Sequence, residues 1–106
     1  MSRFVIVAYA PKPGKDQALH DAVRKHVPVL RREGLVTERP AYVMKAKDGT
    51  IVEIFEWLSP EAIKRAHSNA SVQALWAEFG EVCDFKMLNT LAEAGDTFAE
   101  FEPVVL

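Results

Sequence analysis

Cysteine is almost missing from this sequence: Cys83 is the only one in 106 residues. One thiol excludes an intramolecular disulfide and any multi-cysteine metal site, so a reducing compartment is expected. Charge of one sign is lacking too. Thirteen Lys and Arg against fifteen Asp and Glu leave a formal net charge of -2, and the basic residues alternate with acidic ones. That gives no electrostatic footprint for nucleic acid or an anionic membrane. No apolar run approaches the roughly 20 residues of a membrane span. The opening MSRFVIVAYAPKPG has a short apolar run that stops at Pro11 and Pro13, without the small-residue cleavage site of a signal peptide. The expectation is a cytoplasmic protein. No Gly-rich turn links a strand to a helix, which leaves a nucleotide site unsupported. The three histidines, His20, His26 and His67, are scattered without HxH or HxxxH spacing, so no metal site is expected.

What is present is an ordinary globular composition, 49% hydrophobic and 26% charged, enough for one domain with one core. Phe4 to Ala10 is uninterrupted apolar and β-favouring, which predicts a strand covered on both faces. From about Lys15 to Glu33, Leu19, Val23, Val27 and Leu30 recur at helical spacing, with His26 beside them, and predict an amphipathic helix. Pro28 should kink it, and Gly34 is placed to end it. Arg39 to Lys47 and Thr50 to Trp57 flank Asp48-Gly49, a strong hairpin signal. Ser59-Pro60-Glu61 reads as a helix start. Ser68-Asn69 interrupts that helix near His67, and Asn69 is a candidate cap for a second one. There Val72, Leu75, Trp76, Phe79, Val82 and Cys83 form the apolar face. Residues 84–96 either prolong this helix or wrap the surface, and Thr97 to Val105 reads as a last edge strand.

The order strand, helix, strand, strand, helix, strand is that of an α+β, ferredoxin-like fold: a four-stranded antiparallel sheet with helices on one face. Phe4, Ile6 and Ala8 alternate with Val5, Val7 and Tyr9, so both faces of the first strand are apolar. The third strand repeats this with Ile51, Phe55 and Trp57 against Val52 and Ile54. A bare apolar sheet face exceeds what a soluble monomer tolerates, so a homodimer through the sheet face is expected.

A VIVAYAPKPGK opening, a hairpin ending in EIFEW, then AH-x-N and ALW on the following helix, and a terminal FAEFEP resemble the antibiotic biosynthesis monooxygenase (ABM) domain of the dimeric α+β barrel superfamily. The resemblance covers nearly the whole chain, residues 1–106, as a single domain. It implies a dimer of face-to-face sheets and, for some relatives, cofactor-independent oxygenation of polycyclic phenols. No cofactor is expected on this reading. The spacing of Trp57 and His67 is similar to a pair in the haem-degrading branch, but Phe4 to Ala10 lacks that branch's asparagine.

Each candidate has a plainer alternative. His67, at a helix end, is the expected proton acceptor, with capping or packing as the alternative. Trp57 and Trp76 are candidates for the wall of a pocket for a small aromatic ligand; core packing competes for both, and is the better reading for Trp76. Alternation places Glu53 among Ile51, Phe55 and Trp57, where a carboxylate is costly unless paired. It is either a pocket acid or base, or a partner of Lys45 or an arginine, the pairing being favoured. Tyr9 and Tyr42 are candidate phenolic donors, with packing favoured for both, and Asn69 completes the candidate substrate-binding set. His20 is expected in solvent, and His26 is expected to pack or to meet the partner. The alternative to an enzyme is a non-catalytic dimeric module that binds a small apolar ligand.

Overall fold

A computed structural model describes residues 1–106. Strand β1 (Arg3–Pro11) is followed by helix α1 (Asp16–Arg32), then β2 (Tyr42–Lys45), β3 (Ile51–Trp57), α2 (Pro60–Ala66), α3 (Ala70–Val82), β4 (Cys83–Lys86) and β5 (Glu102–Pro103). The sheet is antiparallel and ordered β4-β1-β3-β2-β5. The ferredoxin-like α+β arrangement read from the sequence is the one observed, with the first and third strands central.

Local chemistry sets the boundaries. The helix α1 runs unbroken through Pro28, and Gly34 takes a positive φ of 72° as the chain leaves it. There Leu35 N–H returns to the Leu30 carbonyl at 3.0 Å, the bonding of a glycine-stopped helix end. In the hairpin, Gly49 adopts φ 94° and the Asp48 carboxylate accepts from the Thr50 amide at 2.8 Å. The Ser59 hydroxyl caps α2 by accepting from Ala62 N–H, and the Asn69 side chain caps α3 through Val72 N–H, both at 3.1 Å.

Three expectations need correction. The fourth strand is Cys83–Lys86, directly after α3, and it takes the edge beside β1. The C-terminal segment contributes only Glu102–Pro103, paired with β2 at the other edge, so the sheet has five strands and not four. Its composition shows why: Glu100, Glu102 and Pro103 cannot sustain a longer ladder. Finally, β2 begins only at Tyr42, because Pro40 cannot donate to the ladder.

Between the last two strands, two short 3-10 turns at Leu88–Thr90 and Ala92–Gly95 lay Leu91 against Ala8, Ala46 and Val52, with Met44 and Phe101 beside them. The chain therefore covers part of its own outer sheet face. The rest of that face stays open, with Phe4 63%, Ile6 48% and Tyr42 66% exposed. On the inner face, α1 and α3 pack over β1 and β3 in two apolar clusters.

Candidate functional site

Cross-strand register decides which side chains meet. In β3, Ile51, Glu53, Phe55 and Trp57 share the inner face with Val5, Val7 and Tyr9 of β1. The helix α1 lies above them and presents its buried stripe of Leu19, Ala22, Val23, His26, Val27 and Leu30. Helical spacing puts His26 on this stripe, three residues after Val23 and four after Ala22. A carboxylate from the sheet and an imidazole from the helix thus meet in the core.

There Glu53 Oε1 makes two short polar contacts. The Tyr9 hydroxyl donates at 2.7 Å, and His26 Nδ1 lies at 2.7 Å. Tyr9 Oη is 3.4 Å from the same ring nitrogen, so its single hydrogen belongs to the nearer carboxylate. All three groups are out of solvent: Tyr9 and Glu53 are 1% exposed and His26 4%. The His26 ring is gripped edge-on by Phe55 and Phe79, with centroids 5.2 and 5.1 Å away. Its Nε2 is the one fully buried side-chain polar atom without a hydrogen-bond partner. Burial, and after it the Glu53 carboxylate, push the Tyr9 phenol far above its ordinary value of 10.0. Tyr9 therefore remains a donor throughout the physiological range.

Tyr9 and His26 form part of the wall of a cavity of about 320 Å³, at the small end of the roughly 300–1,000 Å³ typical of ligand sites. Val5, Val7, Phe55 and Trp57 continue the wall along the sheet, and Phe79 and Trp76 come from α3. Phe85, exposed on β4, completes the lining. It meets Tyr9 edge-on with centroids 5.6 Å apart. Neither Lys nor Arg lines this space, so nothing there compensates an anionic ligand.

The candidates read from the sequence divide accordingly. Tyr9, Trp57 and Trp76 line the cavity, and Glu53 lies behind Tyr9 and His26. Glu53 does not pair with Lys45 or an arginine; His26 and Tyr9 take that place because alternation turns the carboxylate inward, toward α1. His67 is exposed just after α2, with its ring 5.1 Å from that of Trp76, and it is not a lining residue. Tyr42 points to the outer face, in register with Ile54. Asn69 caps α3 and donates to Glu33 at 2.9 Å, away from the cavity. The residue passed over was His26. A histidine on an apolar helical stripe, with a glutamate on an apolar strand face, was the available signal, since each needs a partner that the core offers only in the other.

Cys83 starts β4 with its thiol donating to the Phe79 carbonyl at 3.1 Å. Burial, with Asp84 beside it, pushes this thiol up to about 11, the inert state expected of a buried cysteine.

Fold and site together define a class: a small ferredoxin-like α+β protein with an apolar, aromatic-walled cavity between sheet and helices. Solved structures share that fold. SnoaB, a cofactor-independent oxygenase from Streptomyces nogalater, aligns with a TM-score of 0.65 and 11% identity over 80% of this chain and 85% of its own. Rv0793 from Mycobacterium tuberculosis gives 0.66 and 19%, over 81% and 89%. SO0527 from Shewanella oneidensis gives 0.61 and 16%, over 81% and 91%. These neighbours agree with the resemblance to the ABM domain, and at such identities the likeness is one of fold. No family model and no curated protein matches the sequence.

Proposed function

We propose that this protein is an ABM-like, cofactor-independent monooxygenase acting on a small aromatic or quinone-like molecule. The observation that carries the proposal is a buried imidazole with a free nitrogen, backed by a carboxylate, in the wall of an otherwise apolar cavity. The shared fold with a cofactor-independent oxygenase supports it. In this reading His26 takes over the role of proton acceptor expected of His67. It removes a proton from an acidic C–H or O–H of the bound ring system, and Glu53 stabilises the imidazolium that forms. The aromatic wall excludes water, so the anion is left electron-rich and able to reduce dioxygen directly. For an anthrone-type substrate the methylene becomes a carbonyl. One oxygen atom enters the product, the other leaves as water, and the substrate supplies all four electrons. Trp57, Trp76 and Tyr9 hold the ring plane.

The protein works as a homodimer in this proposal. Phe4, Ile6 and Tyr42 leave an apolar strip on the outer face that the chain's own Leu91 and Phe101 do not reach.

Oxygen uptake with a panel of anthrones and hydroquinones tests the activity. An anthrone turned over with one dioxygen consumed per quinone formed, and no peroxide released, supports it. If no member is oxidised although some bind, the protein is the alternative, a non-catalytic binding module. The nearly all-apolar lining of the cavity favours that second reading.

A further inference from the structure

Hydrogen-bond arithmetic ties the ring state of His26 to that of Glu53. The Tyr9 hydroxyl has one hydrogen, and at 2.7 Å against 3.4 Å it goes to Glu53 and not to the imidazole. Glu53 is taken as ionised, and an ionised carboxylate only accepts. The hydrogen in the 2.7 Å contact between Glu53 Oε1 and His26 Nδ1 therefore belongs to the ring nitrogen. In the neutral imidazole, Nε2 then carries a lone pair, and it is buried without a donor. A doubly protonated ring would instead leave a buried N–H unpaired between two phenylalanines, which is the costlier arrangement. In water the imidazole of histidine favours the opposite tautomer, with its hydrogen on Nε2, so the core has to impose this one.

We propose that Glu53, held in place by Tyr9, is a positioning residue that locks His26 in the Nδ1–H tautomer, making Nε2 a hydrogen-bond acceptor that a neutral, hydroxyl-bearing ligand in the cavity reaches by displacing the Phe55 or Phe79 ring packed against it. Tyr9 acts one step further back. By occupying Glu53 Oε1 together with His26, it restricts rotation of the carboxylate away from the ring. Ligands offering only an acceptor, such as an aryl ether or a ketone, leave Nε2 unsatisfied. Carboxylates meet no cation in the lining.

Resting on the same cavity as the proposed activity, the tautomer is nevertheless read in the free protein, without substrate or oxygen. Nitrogen NMR of ring-labelled histidine at mildly alkaline pH distinguishes a protonated Nδ1 from a protonated Nε2. The wild type is expected to show His26 with hydrogen on Nδ1, and exposed His67 with the ordinary solution preference as an internal control. Glu53→Leu should return His26 to the solution tautomer, and Tyr9→Phe should give a mixture. A wild-type His26 carrying its hydrogen on Nε2 overturns the proposal, whether or not either variant folds. So does a folded Glu53→Leu protein with an unchanged ring. As a second readout, 2-naphthol should bind about tenfold more tightly than 2-methoxynaphthalene, the value of one hydrogen bond to a buried acceptor. Glu53→Leu should erase that preference, which a purely structural role would leave intact. Equal affinity of the two probes in the wild type contradicts the acceptor role. Failure of both to bind, with the tautomer as expected, would sink the cavity reading and leave the ring assignment standing.

Discussion

The two faces of this sheet are made from the same alternating strands and end in opposite conditions. Inward, β1 and β3 present Val5, Val7, Tyr9, Glu53, Phe55 and Trp57 to two helices. Polar groups enter there only as a mutually satisfied set, with one nitrogen left over. Outward, the same strands present Phe4, Ile6, Ala8, Val52 and Ile54, and the chain covers only part of them. The polar residue on this face, Glu56, sits near its rim. It accepts from Ser2 at 2.6 Å and Thr37 at 2.8 Å, and Arg39 lies 2.8 Å away. The buried Tyr9–Glu53–His26 set lies on the face the chain closes by itself, and apolar surface is left on the face it does not close.

The largest effect should come from opening the inner set. His26→Ala removes one of two buried partners of the Glu53 carboxylate and leaves the volume of the ring empty. We expect a loss of about 3–5 kcal/mol from the lost hydrogen bond and the cavity together, measured as a fall in the denaturant midpoint. A loss below about 1 kcal/mol would mean that Glu53 is not held as described. Tyr9→Phe removes one of two donors to the same oxygen and should cost about 1–3 kcal/mol by the same assay. Cap removal at Ser59→Ala, remote from both faces, should cost about 1 kcal/mol and leave ligand binding unchanged. The smallest effect on protomer folding should come from Ile6→Lys. Ile6 is half exposed, so the substitution should shift unfolding by less than about 0.5 kcal/mol. It should nevertheless halve the mass seen in sedimentation if the outer strip is the dimer contact. A dimer that survives Ile6→Lys and Phe4→Lys together would place the contact elsewhere.

The faces should also separate by pH. Hydrogen bonds from Ser2 and Thr37, and then the charge of Arg39, hold the Glu56 carboxyl below its ordinary 4.5. A group depressed in the folded state stabilises above its unfolded value and loses that contribution as pH falls through the folded one. Acid unfolding should therefore begin below about pH 4.5 and be blunted in Glu56→Gln. Tyr9 is shifted the other way. Its unfolded form ionises from pH 10.0 upward while the folded form does not, so stability should fall with rising pH above that point. In Tyr9→Phe this alkaline slope should be shallower.

The sequence disclosed elements better than meetings. Asp48-Gly49, Ser59-Pro60, Asn69 and Gly34 act through neighbours one to three residues away, so their turns and caps were legible. Alternation in IVEIFEW correctly turned Glu53 inward with Ile51, Phe55 and Trp57. Its partner was not legible, because His26 lies 27 residues away on another element and only the packing of α1 over β3 brings the two together. His67 drew attention through its place after a helix end and its spacing from Trp57. Those local features say nothing about which side of Trp76 the ring would occupy. The fourth strand was missed because Cys83 continues the apolar face of α3, and the pattern has no break where the backbone does.

The central claim is that proton abstraction belongs to the buried histidine and not to the exposed one. Steady-state oxygen uptake with a responsive anthrone should compare wild type, His26→Asn and His67→Ala, each checked for folding by circular dichroism. Turnover reduced at least about 100-fold in His26→Asn and nearly unchanged in His67→Ala is the predicted result. Retained turnover in His26→Asn together with its loss in His67→Ala would contradict the account.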